Sequence, residues 1–115
     1  MKSETNKRTV SSAPACWQRE APCACLRIEI SAREMHILPY AHLLSASLIS
    51  TGESETLRIA FSAHDVEIIG HNLRALLLAL QDFGVKWIRA MPQRYQQLEA
   101  VENGVVSTIR IRQAE

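Results

Sequence analysis

One stretch constrains the fold of this chain more than any other: residues 57–84, LRIAFSAHDVEIIGHNLRALLLALQDFG. Large apolar residues alternate with polar or small ones over residues 57–61 and again over 66–68, so each run has one apolar strand face. The polar segment 62–65 between them suits a four-residue hairpin loop built on a type I turn. The sequence therefore predicts a β-hairpin. Its apolar face comprises Leu57, Ile59, Phe61, Val66 and Ile68.

A helix is predicted directly after this hairpin, over residues 72–83. Asn72 is a good N-cap because its side-chain oxygen can accept from the amides of the first turn. Gly84 supplies a left-handed stop. The apolar stripe of the helix, at the spacing i, i+3, i+4, i+7 and i+10, comprises Leu73, Leu76, Leu77, Leu80 and Phe83. Burial of this stripe predicts that Leu77→Ala or Leu80→Ala costs about 2 to 5 kcal/mol.

The rest of the chain contains further strands and one ambiguous segment. Period-two alternation predicts strands at residues 26–31, 35–38, 85–91 and 105–112. Residues 40–50 fit a strand or a helix, and a short turn followed by a strand is the favoured interpretation. Pro92 can begin a short helix with Tyr95 and Leu98 on its inner side. Asn103-Gly104 is a turn signal before the last strand.

Strand runs interrupted by one long helix indicate an α+β domain. We expect a mostly antiparallel sheet of five to six strands, with the main helix (about 72–83) packed on one face. The opposite face is expected to be solvated or an interface, because it carries Arg58, Glu67, Arg110 and Arg112. Residues 24–115 form the predicted single domain. Residues 1–23 are rich in Ser, Thr, Lys and Pro and predict a flexible arm.

Charge and composition exclude several classes of protein. Thirteen Lys and Arg against twelve Asp and Glu give a net charge of +1, so no general field attracts nucleic acid, membranes or acidic ligands. The longest fully apolar run, residues 75–80, is far shorter than the roughly 18 residues needed to span a bilayer. The N-terminal residues lack the apolar core of a signal peptide, and the odd cysteine count fits a reducing compartment. A cytoplasmic protein without membrane contact is expected.

The cysteines and histidines offer weak candidates for chemistry. Cys16, Cys23 and Cys25 could bind zinc together with a histidine, but their spacing matches no familiar zinc unit, and no metal is expected. His64-Asp65 could be an oriented base, although polarity of the hairpin loop is the favoured account. None of the four histidines forms an i, i+4 ligand pair; they are His36, His42, His64 and His71. No cofactor is expected, and the prediction for catalysis leans towards a protein that is not an enzyme.

Two functional hypotheses from different classes follow. The first is a small non-catalytic protein that acts through protein–protein association as a homo-oligomer, using a sheet face or edge. Its helix contribution would come from the outer residues Ala75, Leu78 and Ala79.

The alternative is a nucleic-acid-binding module that uses the basic C-terminal strands. Its candidate contacts are Lys86, Arg89, Arg94, Arg110 and Arg112. Trp87 lies within this group but is expected in the core, and acidic residues in the same region weaken the field.

Overall fold

The computed structural model describes residues 15–92 and 104–114, which form eight strands, one α-helix and one 3₁₀ turn. In chain order these are β1 (Trp17–Arg19), β2 (Cys25–Ser31), β3 (Glu34–Pro39), the 3₁₀ turn (Tyr40–His42), β4 (Leu43–Thr51), β5 (Ser54–Phe61), β6 (His64–His71), α1 (Arg74–Leu80), β7 (Val85–Arg89) and β8 (Val105–Gln113). Within these residues, no helix has the length and apolar character needed to cross a membrane.

The strands form two sheets of four strands each, in the orders β1-β7-β2-β3 and β4-β5-β6-β8. Every pairing is antiparallel except that of β2 with β7, which is parallel. The α+β class and the mostly antiparallel pairing are confirmed, whereas the prediction of one sheet with five to six strands is wrong. The chain changes sheet at the 3₁₀ turn, directly after Pro39, which cannot donate to a further ladder.

The described part of the predicted arm belongs to the first sheet. Strand β1 pairs with β7, and Trp17 lies opposite Ile88. Cys16 and Trp17 are buried, at 2% and 7% exposure. Residues 15–23, which we assigned to a flexible arm, therefore contribute a strand and two core side chains.

The predicted hairpin is present as β5 and β6. Leu57 pairs with Ile68 and Ile59 with Val66, so their side chains share the buried face. The loop, however, is only Ser62-Ala63, because β6 already begins at His64. The prediction of a four-residue loop is thus wrong at its second half: His64 and Asp65 are strand residues that pair with β8.

The start of the helix is stabilised by tertiary structure. Asn72 has a left-handed backbone (φ 57°) and is not the N-cap, which is Leu73. The Leu73 amide donates to Oε1 of Glu55 at 2.7 Å, so a carboxylate from β5 replaces the local cap. Because Glu55 lies 18 positions earlier in the chain, no local capping pattern could reveal it.

The end of the helix also differs from the prediction. The left-handed residue is Phe83 (φ 58°) and not Gly84. The Gly84 amide donates to the Ala79 carbonyl at 2.8 Å, which closes the last turn. A Cβ on Gly84 would lie 2.9 Å from that same carbonyl oxygen, so close approach of the backbone, rather than a left-handed φ, favours glycine here.

The helix buries most of the predicted stripe. Leu73, Leu76 and Leu80 are at most 2% exposed, while Leu77 is half-buried and Phe83 is 43% exposed. The neighbours of α1 in space are β4 and β7, so the helix contacts one strand from each sheet.

We expect Leu80→Ala to lower the free energy of unfolding by about 2 to 5 kcal/mol, since it opens a cavity in the core. Leu78→Ala, on the same helix but 52% exposed, is the matched control and should cost less than about 1 kcal/mol when both variants are compared as monomers at low concentration. Urea unfolding of both variants checks the difference. Equal costs would contradict the placement of Leu80 in the core; for half-buried Leu77 we now expect an intermediate cost.

The remaining predictions are confirmed or lie outside the described residues. Residues 40–50 form the short turn and strand that we favoured, and the strands around residues 26–31, 35–38, 85–91 and 105–112 are present. The helix proposed after Pro92, with Tyr95 and Leu98, lies outside the described residues.

Candidate functional site

An open apolar groove of about 340 Å³ lies between α1 and β4. It is lined by Leu43, Ala46, Leu77, Leu78, Leu80, Gln81 and Phe83. No lining residue is charged, and Leu78 and Phe83 are 52% and 43% exposed. The groove is therefore an apolar surface left uncovered at the boundary between the helix and the second sheet.

Phe83 is held beside this groove by an unusual backbone. A left-handed conformation costs a residue with a Cβ about 1 to 2 kcal/mol, and Phe83 adopts it at φ 58°. Its ring contacts that of Tyr40, with centroids 5.0 Å apart. The Tyr40 hydroxyl is in turn anchored to Val85 in β7. The fold thus fixes an exposed aromatic ring at one end of the groove.

Strand β4 adds an unprotected sheet edge next to the groove. Among the described residues it pairs with β5 and with no other strand. Its sequence, LLSASLIST, contains neither charge nor proline, the two features that usually block pairing with another chain. Leu44, at a bulge, and Ile49 are 69% and 45% exposed. The other edge of this sheet, β8, carries Arg110 and Arg112 instead.

The three helix residues predicted to form an interface differ in exposure. Ala75 and Leu78 are exposed, and Leu78 lines the groove. Ala79 is only 2% exposed, so it belongs to the core and cannot meet a second copy. Ala75 and Ala79 differ in exposure because α1 contacts a strand from each sheet. These contacts cover more of the helix surface than its single apolar stripe.

The outer face of the first sheet carries a polar cluster around Trp87. We expected Trp87 in the core, but register places it opposite Gln18 and Arg27 on the face away from buried Leu26 and Ile28. Its indole nitrogen donates to Oε1 of Gln18 at 2.8 Å. The Arg89 guanidinium carbon lies 3.9 Å from the ring centroid, in cation–π range.

Glu29 links the arginines of this cluster. Its carboxylate lies 2.8 Å from Nε of Arg27 and 3.1 Å from Nε of Arg89. The Glu29 side chain is 19% exposed, whereas the two arginines are 38% and 42% exposed. The negative charge therefore lies deeper than the positive ones. We call Gln18, Arg27, Glu29, Trp87 and Arg89 the Trp87 platform.

The outer face of the second sheet repeats the arrangement in a looser form. Arg58, Glu67 and Arg110 occupy adjacent positions on β5, β6 and β8. Glu67 lies 3.6 Å from Arg58 and 3.4 Å from Arg110. The arginine side chains are 64% and 69% exposed, and among residues 15–92 and 104–114 no aromatic ring stacks on this triad. A shallow depression beside it includes Arg112 and Asp65.

The five predicted nucleic-acid contacts do not form one surface. Lys86 and Arg89 lie on the first sheet, where Lys86 pairs with Glu20 at 3.2 Å. Arg110 and Arg112 lie on the second sheet. Arg94 lies outside the described residues. The four described basic residues are near one another in the sequence, but the strand order places them on two different sheets.

Among the described residues, few titratable side chains lie close to one another. The rings of His36 and His64 approach across the two sheets, with centroids 6.3 Å apart, and Nε2 of His36 lies 2.8 Å from Glu34. Within residues 15–92 and 104–114, no group of three or more His, Cys, Asp or Glu could hold a metal ion. Cys16 is buried with its sulfur accepting from the Val106 amide, and burial raises its thiol pKa.

The sequence contains patterns that indicate two of these features, although our predictions did not use them. The absence of charge over residues 43–51 marks an unprotected edge, and an Arg-x-Glu pattern at 27–29 marks one strand face. Comparison with protein-family models, curated proteins and solved structures finds no match, so the functional argument rests on the geometry of these surfaces.

Proposed function

We propose that this protein acts by self-association, and that a second copy pairs along β4 and covers the groove beside α1. The observation that carries the proposal is the coincidence of two exposed features: an uncharged nine-residue edge strand and an apolar groove lined by the neighbouring helix. An edge offers backbone groups for pairing, and the groove offers apolar area to bury.

Antiparallel pairing of β4 with its copy satisfies both features together. A two-fold axis perpendicular to the sheet relates two antiparallel strands and leaves equivalent sheet faces on the same side. Both helices and both grooves then lie on one side of a joined eight-stranded sheet. Leu78 and Phe83, exposed in the single chain, would face the helix of the other copy.

A second copy fits this surface for reasons of charge and shape. In a two-fold pair each residue of β4 meets a residue of the same strand. Because β4 contains no charged residue, such pairing brings no like charges together. The outward residues near its centre are small, with Ser45 and Ser47 opposite Ala60 and Arg58 of β5, so a neighbouring backbone can approach.

A lysine substitution tests this proposal. Leu78→Lys places a charge in the proposed interface, and we expect it to weaken self-association roughly 30-fold or more, as loss of a hot spot of about 2 kcal/mol does. Sedimentation analysis over a range of concentrations gives the dissociation constant. Leu78 is 52% exposed, so the monomer should fold as before.

Ile37→Lys is the matched control, because Ile37 is 66% exposed on the first sheet. It should leave the dissociation constant unchanged. A positive readout comes from Ser47→Cys, at the middle of β4, in a Cys23→Ser/Cys25→Ser background that removes the accessible native thiols; it should cross-link copies under mild oxidation, while Ser31→Cys in the same background should not. A wild-type protein that stays monomeric at all concentrations would overturn the proposal.

A further inference from the structure

We infer that the Trp87 platform binds single-stranded nucleic acid. This inference goes beyond self-association and concerns a different sheet. It relocates the predicted nucleic-acid site from the basic C-terminal strands to the outer face of the first sheet, and it keeps only Arg89 of the five residues first considered.

The charges on the platform are arranged for an anion. Nε of Arg27 donates to Oε2 of Glu29 at 2.8 Å, and Nε of Arg89 lies 3.1 Å from Oε1 of Glu29 without hydrogen-bond geometry. A guanidinium carries five N–H donors, and the ion pairs with Glu29 involve only Nε of each arginine. The exposed fraction of the Glu29 side chain is at most half that of either arginine. An approaching phosphate therefore meets guanidinium groups before it meets the carboxylate.

The stack on Trp87 provides the second element of recognition. The guanidinium of Arg89 lies over the indole, and Gln18 holds the ring by its nitrogen. Nucleobases stack on aromatic rings and on arginine planes alike. An unpaired base can extend the Arg89–Trp87 stack while its phosphate pairs with Arg27, whereas a duplex keeps its base faces hidden.

Apolar side chains continue the platform towards its edge. Ile37 pairs with Arg27 and Met35 with Glu29, and they are 66% and 58% exposed. They offer flat apolar contacts to a further base along the strand. The order across the sheet is then aromatic, cationic and apolar, which suits the base–phosphate alternation of a single strand.

The second sheet supplies a control with the same charges. Its Arg58–Glu67–Arg110 triad has the same composition as Arg27–Glu29–Arg89 but, within the part of the chain that the structure describes, no aromatic partner. If charge alone drove binding, loss of the arginines from either triad would weaken binding equally. If the Trp87 platform is the site, only loss of Arg27 and Arg89 should weaken it.

The test uses fluorescence anisotropy of the full chain with labelled oligothymidine and mixed-sequence RNA of about 20 nucleotides. Arg27→Gln/Arg89→Gln should abolish most of the binding and reduce the slope of log affinity against log salt by about 1.4, or 0.7 for each lost phosphate contact. Arg58→Gln/Arg110→Gln, with the same change of net charge, should alter affinity less than about 2-fold.

Trp87 provides an independent readout. Trp87→Ala should weaken binding roughly 5- to 150-fold, the range for loss of one stacked base, and Trp87→Phe should restore most of it. Binding should also quench wild-type tryptophan fluorescence but not that of Trp87→Phe, which retains only buried Trp17. Far-ultraviolet circular dichroism confirms that each variant is folded.

Several outcomes would overturn the inference. These are no binding at roughly 50 mM salt, equal losses in the two double-arginine variants, equally tight binding of a duplex, or full competition by polyglutamate. The Leu78→Lys variant separates this inference from self-association, because a platform on the other sheet should still bind one oligonucleotide per chain when the dimer is broken.

Discussion

Gly70→Ala is expected to destabilise the fold by about 3 kcal/mol or more, because an added methyl group would collide with the backbone of the neighbouring strand. Gly70 is buried in β6 at the irregularity where it pairs with Val106. A Cβ at this position would lie 1.9 Å from the Val105 carbonyl oxygen and 3.1 Å from the Val106 Cα. Backbone atoms cannot change rotamer, so β8 must move away, at a cost at or above the usual range for overpacking.

Thermal unfolding should show this as a loss of roughly 10 to 20 °C, at about 4 to 8 °C per kcal/mol for a domain of this size. Gly52→Ala is the control. Gly52 has a left-handed backbone (φ 69°) but nothing within 4 Å of its Cβ position, so it should cost only the backbone strain of about 1 to 2 kcal/mol. Similar losses for both variants would contradict the pairing of β6 with β8.

Tyr40→Phe is expected to cost about 2 to 6 kcal/mol, although it removes a single oxygen atom. The Tyr40 hydroxyl donates to the Val85 carbonyl at 2.6 Å and accepts from the Val85 amide at 3.2 Å. Both residues are buried, and each backbone group left without a partner costs about 1 to 3 kcal/mol. The ring contact with Phe83 is retained in the variant, so urea unfolding reports the lost hydrogen bonds. A change below about 0.5 kcal/mol would show that water replaces the hydroxyl.

The same residue predicts a pH dependence. Burial raises the pKa of Tyr40 to about 12, although the hydrogen bond with Val85 acts in the opposite direction. An unfolded tyrosine ionises near pH 10, so above that pH the unfolded chain releases the proton first. The contribution of Tyr40 is therefore complete below about pH 10 and is lost as the pH rises towards 12. Two pKa units correspond to roughly 2 to 3 kcal/mol.

The comparison between wild type and Tyr40→Phe isolates this contribution. The stability difference between the two proteins should be constant from neutral pH to about 10 and then shrink, since the phenylalanine cannot ionise. A difference that stays constant up to pH 12 would show that the Tyr40 hydroxyl is not buried in the folded chain.

The candidate surfaces were predictable only in part. Leu78 stood out on the helix because it lies opposite the stripe, and it does line the groove. Ala79 was assigned to the same exposed side but is buried, since the helix contacts a strand from each sheet. The basic C-terminal residues looked like one patch in sequence, yet β7 and β8 belong to different sheets.

The amino-acid sequence alone determined the local periodicities: the alternating strands and the leucine stripe of the helix. These depend on which side of a segment is apolar, and that is written in neighbouring residues. Only the tertiary structure decided which strands pair, that Glu55 caps the helix, and that Trp87 faces outward between arginines from β2 and β7. The physical reason is that alternation specifies two faces but no partner, and partners are chosen by contacts between residues far apart in the chain.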